Sequence, residues 1–475
     1  MESDKNPQLP IELLKFLKLP FGFSLLIKGL AGTGKTSLAL MILKESLRSG
    51  HTPIYISTRI IPNLIKLQYP WLEQYLDKIH MIDASNVDLM MPSPNTIRNI
   101  KNKFKFANTP EFFVKIFEYT EDLENCTIVI DSWNAVTETV SFNEQYNQNK
   151  IEPILTELVR QHNFKLILVL ENDEHSYLDY LVDGVLILNN TRYNNRRIRT
   201  VEIQKIRGVK NIQPEYLFTL NETEFRYFPP YKFNFPEILI RPDPIPDPRK
   251  NTISTGMTDF DELTGGGFEK GSWNMLEIAH GIGEEFYSII TPIIVNHLNL
   301  DRGLVAILPE GVSPIIFNQY LEGFVGKDRL KKLVSAINIG LQKDLLFGNI
   351  NEGNPDEFFD IVNKQISKFN EKFGYPVLTF LGLGSLQHIF DERKLVSSIA
   401  KQIASTRIND NITIILIQEQ QKMINALSHM VLTHWKLDLI DKALVLYGIR
   451  PETEINSVIT NASEGYIHTN LIPIF

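Results

Sequence analysis

The chain has 475 residues, of which 43% are hydrophobic, and its net charge is −8. This length exceeds one ordinary hydrophobic core, so we expect two or three domains, and the acidic balance disfavours a protein coated in nucleic acid or seated on an anionic membrane. No apolar run approaches the roughly 18 residues that span a bilayer, and the polar start MESDKNPQLP lacks a signal core. With a single cysteine, Cys126, the sequence predicts a cytoplasmic protein without internal disulfides.

Apolar strands alternate with helical stretches along the whole chain. The first-half strand candidates are FSLLIKG, TPIYIS, TIVIDS, KLILVLE, GVLIL and RIRTVEIQK. The second-half candidates are SWNMLEI, LVAILPE, PVLTFLG, ITIILIQ and KALVLYG. Such alternation favours right-handed βαβ units. The predicted fold class is α/β, with two tandem domains that each contain a mainly parallel twisted sheet flanked by helices and a ligand site where the strands end.

Proline marks the boundary between the halves. Seven prolines lie between positions 229 and 248, and such a segment forms neither a helix nor an interior strand. The sequence therefore predicts a first domain over residues 1–228, a semi-rigid linker over 229–250 and a second domain over 251–475. A long loop inside one domain is the alternative.

A phosphate-binding loop, GLAGTGKT, follows the first strand and precedes an apolar helical stretch. Its glycines let backbone amides turn towards phosphate oxygens, and the helix N-terminus adds partial positive charge. Lys35 is expected to reach the β- and γ-phosphates of ATP, and the Thr36 hydroxyl to hold Mg²⁺. The predicted nucleotide contacts are Gly29, Ala31, Gly32, Thr33, Gly34, Lys35, Thr36 and Ser37.

Asp131 is the second predicted element of this site. It ends the strand CTIVID, and an aspartate at a strand end beside the loop orients the water shell of magnesium. Many strands end in aspartate, so the predicted role of Asp131 depends on the presence of the phosphate-binding loop upstream. The predicted metal ligands are Thr36 and Asp131.

A basic cluster closes the first domain. The segment TRYNNRRIRTVEIQKIRGVK holds seven cations against Glu202. On a strand, Lys205 and Arg207 share one face. From chemistry alone, this pair either clamps phosphate oxygens or belongs to a solvated edge strand.

These stretches resemble known families. STGMTDFDELTGGGFEKGSW resembles the opening of KaiC- and RadA-type RecA-like domains, and DGVLIL with RTVEIQKIRG resembles the close of a KaiC domain. GFSLLIKGLAGTGKTSLAL and YISTRIIPNLIKLQYPWL resemble the archaeal gas-vesicle regulator family GvpD. The resemblance implies two RecA-like domains, ATP or ADP bound between protomers of a homohexamer, and a regulatory protein partner. It makes Lys205 and Arg207 candidate catalytic fingers in trans.

The first departure from the family concerns hydrolysis. KaiC-like ATPases place paired glutamates after the second strand, where this chain has Ser57, Thr58 and Arg59. None of these is a general base near pH 7. Glu171, which ends KLILVLE, is the nearest substitute. We expect slow, Mg²⁺-dependent ATP hydrolysis confined to the first domain, which suits a switch better than a motor.

The second departure concerns the second domain. Aligned on its glycines, IAHGIGEE places Ile278 at the first glycine, Glu284 at the lysine and Glu285 at the magnesium-binding hydroxyl. The strand PVLTFLG ends at Gly382 instead of aspartate, and no Lys-x-Arg pair closes the domain. Glu310, at the family's catalytic position, then has no loop to serve. The sequence predicts a degenerate domain; a nucleotide site of unusual type is the alternative.

Three functions follow from these residues. The first is a regulatory ATP-binding protein or slow ATPase whose second domain serves assembly or partner binding. The second is a DNA-handling recombinase or helicase relative, supported by the basic cluster and opposed by the acidic net charge. The third is a scaffold that binds a transcription regulator and holds its nucleotide structurally.

Overall fold

The computed structural model describes residues 8–84, 120, 123, 125–141, 159–160, 162–310, 312–337, 354–374 and 376–475. The chain forms two compact units. Unit 1 spans Met1–Pro229 together with Ile474–Phe475, and unit 2 spans Pro230–Pro473. Within the described ranges, no helix combines the length and apolar character required to cross a membrane.

Unit 1 is built on a nine-stranded sheet in the order β3-β2-β4-β5-β1-β6-β7-β8-β9. The strands are β1 (Phe23–Lys28), β2 (Thr52–Ser57), β3 (His80–Asp83), β4 (Cys126–Asp131), β5 (Lys165–Leu170), β6 (Gly184–Tyr193), β7 (Arg196–Ile206), β8 (Glu215–Thr219) and β9 (Arg226–Tyr227). The helices are α1 (Ile11–Leu17), α2 (Lys35–Arg48), α3 (Pro62–Gln68), α4 (Trp133–Ser141) and α5 (Leu178–Leu181). Strands β1 to β6 pair in parallel, and β6 to β9 pair antiparallel.

Apolar residues cover both faces of the central strands. Every residue of β1 and β5 is buried, as expected for parallel strands with helices on both sides. Within β1, Leu25 and Ile27 pack in one core cluster and Leu26 in another. This alternation fixes the register of β1, because a slip of one residue would exchange the two faces.

Unit 2 repeats this strand order as β14-β13-β15-β16-β12-β17-β18-β19-β20, with β10 and β11 in a separate small sheet. The strands are β10 (Thr252–Ile253), β11 (Phe268–Glu269), β12 (Trp273–Ile278), β13 (Leu304–Ile307), β14 (Val334–Ile337), β15 (Leu378–Gly382), β16 (Ile412–Gln418), β17 (Thr433–Ile440), β18 (Ala443–Arg450), β19 (Asn456–Asn461) and β20 (His468–Pro473). The helices are α6 (Thr258–Leu263), α7 (Tyr287–Asn299), α8 (Pro314–Val325), α9 (Lys327–Leu333), α10 (Pro355–Phe373), α11 (Leu383–Gln387), α12 (Glu392–Thr406) and α13 (Ile424–Met430).

The predicted fold class is confirmed, because both sheets are mostly parallel and helix-flanked. The register also equates positions in the two units. Aligned on their loop glycines, Lys28 of β1 corresponds to Glu277 of β12, and the strand pairing carries this equivalence across each sheet. Strand β17, which the sequence did not predict, is thus the counterpart of β6. Their antiparallel partners β7 and β18 correspond as well.

The proline-rich segment packs along unit 2. Asn296 exchanges two side-chain hydrogen bonds with the backbone of Ile245, at 2.7 and 3.0 Å. Asp247 accepts two hydrogen bonds from Arg302, at 2.9 and 2.6 Å. The backbone amide of Ile240 donates to the carbonyl of Gly465. The role of this segment as a linker stays a prediction.

Candidate nucleotide-binding site

The loop between β1 and α2 requires glycine at both ends. Gly29 and Gly34 have φ values of 149° and 102°. A Cβ at Gly29 would lie 2.5 Å from the carbonyl oxygen of Leu188, and one at Gly34 would lie 2.9 Å from Leu220 Cδ1. The Thr33 hydroxyl closes the turn by donating to a loop carbonyl at 2.9 Å. The backbone is therefore shaped as a cradle at the N-terminus of α2, where partial positive charge favours an anion.

Lys35 begins α2 and its side chain turns back over the loop. The ammonium donates to the carbonyls of Gly29 and Leu30, both at 2.7 Å. Burial lowers the pKa of Lys35 below its ordinary value, and the charges of Glu171 and Asp131 offset only part of this effect. The ammonium thus lies against the loop, where its N–H groups could also donate to phosphate oxygens.

Thr36 and Asp131 meet beside this lysine. The Thr36 hydroxyl donates to Asp131 Oδ2 at 2.7 Å, and the Tyr55 hydroxyl donates to the same oxygen at 2.7 Å. Burial raises the pKa of Asp131, and these two bonds together with the charge of Lys35 oppose that rise. A carboxylate and a hydroxyl are ligands that Mg²⁺ prefers. The donor set therefore fits a magnesium nucleotide, with Thr36 and Asp131 on the metal and the loop amides and Lys35 on the phosphates.

Two contacts of the site were not predicted from the sequence, one to Asp131 and one to the loop. Tyr55 holds Asp131 from β2, where it lies two residues before the strand end that pairs with Asp131. Arg199, on β7, donates to the carbonyl of Gly32 at 2.9 Å. The arginine-rich segment was visible in the sequence, but nothing distinguished Arg199 from its neighbours.

The remaining predicted loop residues differ in surroundings. Ala31 and Gly32 are exposed and Thr33 is buried. Ser37 is buried within α2, where its hydroxyl lies 3.3 Å from the Tyr69 hydroxyl. Ser37 is thus held towards a tyrosine side chain, whereas Thr36 contacts the metal-ligand candidate.

Glu171 lies next to the loop. It follows β5, whose last residue Leu170 pairs with Lys28, immediately before the loop. Its carboxylate forms an ion pair with Arg59, which follows β2. The backbone amide of Glu171 donates to Asn134 Oδ1 at 2.8 Å. The candidate base therefore lies at a strand end beside the loop, in an ion pair with the arginine that follows β2.

The side chains of Lys205 and Arg207 bind near the amino-terminal ends of the parallel strands, opposite to the end that carries the loop. Lys205 pairs with Val185, level with the middle of β1, and its ammonium donates to the carbonyls of Asp179 and Val182 at 2.8 and 2.6 Å. Arg207 donates to Asp183 Oδ1 at 3.2 Å. Within one chain, both side chains are bound at the amino-terminal side of β6, whereas the loop lies at the carboxyl end of β1.

The same arrangement recurs in unit 2. Arg450 pairs with His434 at the register that Lys205 holds in unit 1, next to a corresponding irregularity in the pairing. Its guanidinium donates to the carbonyl of His429 at the end of α13, at 3.2 Å. Contact with the helix that precedes the sixth parallel strand is therefore common to both units.

The corresponding loop of unit 2 carries its own anions. Glu285 Oε2 accepts the backbone amide of Gly283 at 2.7 Å, and Glu419 Oε2 accepts that of His280 at 3.1 Å. Glu284 lies in the short helical turn that follows. Two loop amides therefore donate to carboxylates of the chain itself.

The position equivalent to Asp131 has no space for a side chain. By register, Gly382 of β15 takes that place. A Cβ at Gly382 would lie 2.5 Å from the backbone nitrogen of Pro309. Glu310 is exposed and its carboxylate lies 3.2 Å from His388. Within the described ranges, no group of three or more His, Cys, Asp or Glu residues could hold a metal ion.

Behind this loop, Glu277 joins a buried charge network. Its two carboxylate oxygens lie 2.9 Å from His434 Nε2 and 2.9 Å from Lys436 Nζ, which also contacts Glu419 at 2.5 Å. Burial alone would raise the pKa of Glu277, but the bonds to His434 and Lys436 bring it below its usual value. The equivalent Lys28 pairs with Asp179 at 2.8 Å. The two units thus place charges of opposite sign behind their loops.

Comparison with known proteins agrees with this architecture. The model of the GvpD gas vesicle protein P-loop domain matches residues 13–204. Protein GvpD2 of Halobacterium salinarum is 24% identical over 94% of this chain and 92% of its own length. Protein GvpD1 of the same organism is 28% identical over 64% of this chain and 57% of its own length. The circadian clock oscillator protein KaiC of Acaryochloris marina is 24% identical over 67% of this chain and 62% of its own length. The chain is thus similar to GvpD and KaiC proteins, and its first unit contains the match to a P-loop domain.

Proposed function

We propose that this chain is a nucleotide-operated regulatory protein. Unit 1 binds Mg·ATP and hydrolyses it slowly, and its nucleotide state sets the form of a homo-oligomeric ring. Unit 2 is a pseudo-ATPase that serves assembly or the binding of a regulatory protein.

The difference between the two loops carries this proposal. In unit 1 the Lys35 ammonium donates to the carbonyls of the glycine loop, and the adjacent Thr36 donates to Asp131. In unit 2 the equivalent loop donates an amide to Glu285, and Gly382 replaces the metal-binding aspartate. Carboxylates at these positions repel a polyphosphate. One nucleotide per chain follows from this asymmetry.

The neighbourhood of the loop supports slow turnover. The residues after β2 lack a carboxylate, and general-base catalysis typically contributes about 10²- to 10⁴-fold in rate. Glu171, the substitute that the sequence suggests, follows β5, which β4 separates from β2. A site without a base at the end of β2 suits long occupancy by ATP.

The position of Lys205 and Arg207 supports a site between protomers. Both are bound at the amino-terminal side of β6, so any contact that they make with a terminal phosphate involves the loop of a neighbouring copy. Such a pair completes the pocket only in an oligomer. A closed ring, as a hexamer would be, lets every loop receive one pair.

The test combines Mg·ATP turnover with particle size by light scattering, for the wild type and Lys35→Ala. We expect turnover below about one per second, the low end of usual enzyme rates, and a larger particle with a non-hydrolysable ATP analogue than with ADP. Both should be lost in Lys35→Ala. Turnover that persists in Lys35→Ala would refute a site in unit 1.

A second candidate is a scaffold in which the nucleotide is structural. It is favoured by the contacts of Lys205, whose three carbonyl acceptors and whose parallel with Arg450 indicate a structural role. On this account, Lys205→Met with Arg207→Met leaves turnover unchanged and abolishes partner binding. On the proposed account, the double variant loses turnover and retains nucleotide.

A further inference from the structure

Two oppositely charged side chains face each other beside Lys35. Arg59 follows β2 and Glu171 follows β5, and their ion pair joins strands that flank β4. Leu170, which precedes Glu171, pairs with Lys28, and the amide of Gly29 donates to the carbonyl of Asn172 at 3.2 Å. The pair therefore lies at the strand ends beside the loop that begins at Gly29 and leads to Lys35.

Hydrogen bonds hold the backbone next to Arg59 and the backbone of Glu171 in place. The Thr58 hydroxyl donates to the carbonyl of Ser132 at 2.9 Å and accepts the amide of Ser132 at 2.8 Å. On the other side, the amide of Glu171 donates to Asn134 at 2.8 Å. Both anchors belong to the segment that follows Asp131. A ligand can therefore change the pair by side-chain rotation, with little movement of the strands.

The ion pair is partly exposed to solvent, so a ligand can compete for either side chain. The side chains of Arg59 and Glu171 are 40% and 37% exposed, and ion pairs of such exposure contribute little to stability. A guanidinium binds phosphate oxygens through two parallel, charge-assisted hydrogen bonds, which are stronger. The same phosphate repels the carboxylate of Glu171.

We propose that Arg59 is a γ-phosphate sensor in cis, which leaves Glu171 for the terminal phosphate of ATP and returns to Glu171 when the nucleotide is ADP. This inference rests on the proposed nucleotide site of unit 1 and assigns the residue that distinguishes its two ligands. Arg59 lies where the family has a glutamate. At this position its cation would bind the terminal phosphate that a base would help to remove.

The test is the ratio of two dissociation constants, for ADP and for a non-hydrolysable ATP analogue, measured by fluorescent-nucleotide displacement with Mg²⁺. Arg59→Gln should lower the preference for the ATP analogue about 10- to 100-fold, the strength of hydrogen bonds to a charged group, and leave ADP affinity intact. Glu171→Gln should raise that preference about 2- to 5-fold, because the competing carboxylate is gone. In the double variant, Glu171→Gln should add nothing, since it acts through Arg59.

Arg48→Gln is the matched control. This arginine is 45% exposed in the same unit, and it lies about 20 Å from the loop at the far end of α2. It removes one positive charge without touching the pocket, so the preference should stay within about 2-fold of the wild type. Intact ADP affinity shows that each variant is folded.

The outcomes separate the two claims. If the wild type binds neither nucleotide, or if Lys35→Ala leaves both affinities unchanged, the proposed function fails. If binding depends on Lys35 but Arg59→Gln changes the preference no more than Arg48→Gln does, the sensor is refuted and the nucleotide site remains.

Discussion

The buried ion pair behind the first loop makes a sharp prediction about stability. Lys28 directly precedes Gly29, its side chain is 0% exposed, and its ammonium lies 2.8 Å from the 11% exposed carboxylate of Asp179. Asp179→Asn would leave this ammonium buried without its counter-ion. Removing one partner of a buried pair costs about 3–5 kcal/mol. We therefore expect the free energy of unfolding of unit 1 to fall by about that amount.

The matched control is a pair of the same length at the surface. Arg329 and Asp301 are also 2.8 Å apart, but their side chains are 25% and 74% exposed. Asp301→Asn should cost about 0.2–1 kcal/mol, the range for exposed pairs. Urea denaturation followed by circular dichroism measures both variants. A loss in Asp179→Asn no larger than that in Asp301→Asn would show that burial does not strengthen the dependence of Lys28 on its counter-ion.

The pH dependence gives an independent check on Asp179. Burial alone would raise its pKa, but the bonds from Lys28 and Ser176 bring it below the ordinary value of 3.8. A depressed pKa in the folded state adds stability that is fully present above the unfolded value and is lost as the pH falls through the folded value. The advantage of the wild type over Asp179→Asn should therefore shrink below about pH 3.8.

Three further predictions concern other contacts. Tyr55→Phe removes a hydroxyl from Asp131 and should raise the Mg²⁺ concentration required for nucleotide binding about 10- to 100-fold; an unchanged requirement in a Mg²⁺ titration would contradict this role. Glu277→Gln removes a carboxylate with a depressed pKa, so the advantage of the wild type should shrink as the pH falls from 4.5 through the lower pKa of the folded state. Urea midpoints that keep a constant gap would oppose it. Lys205→Met and Arg450→Met each leave helix carbonyls without this donor, and each should lower the free energy of unfolding by about 1 kcal/mol. If thermal unfolding shows a loss of stability in only one of the two variants, the two residues do not have equivalent roles.

Much of the fold could be predicted because its central strands are continuous apolar runs. Stretches such as KLILVL and ITIILI are buried on both faces and have no amphipathic pattern to misread. Strand β17, THWKLDLI, carries four polar or charged residues among its eight. Its His434 and Lys436 are buried and both contact the carboxylate of Glu277, and a sequence pattern does not show such a partner.

The candidate site divides in the same way. Loop, lysine and helix are contiguous in the chain, so their spacing specified the cradle. Tyr55 and Arg199 reach the site through the pairing of β2 with β4 and the return of β7. Glu171 was named from its strand end alone, and its ion pair with Arg59 depends on two loops 112 residues apart. Contacts of this range follow from sheet order, which local patterns leave open.

The number of nucleotides bound per chain distinguishes one functional loop from two. We would titrate the full chain with a non-hydrolysable Mg·ATP analogue by calorimetry, beside Lys35→Ala. We expect one nucleotide per chain for the wild type and none for the variant, because of the two equivalent loops only that of unit 1 offers its amides and a lysine to phosphate. Two nucleotides per chain, or one that persists in Lys35→Ala, would contradict it.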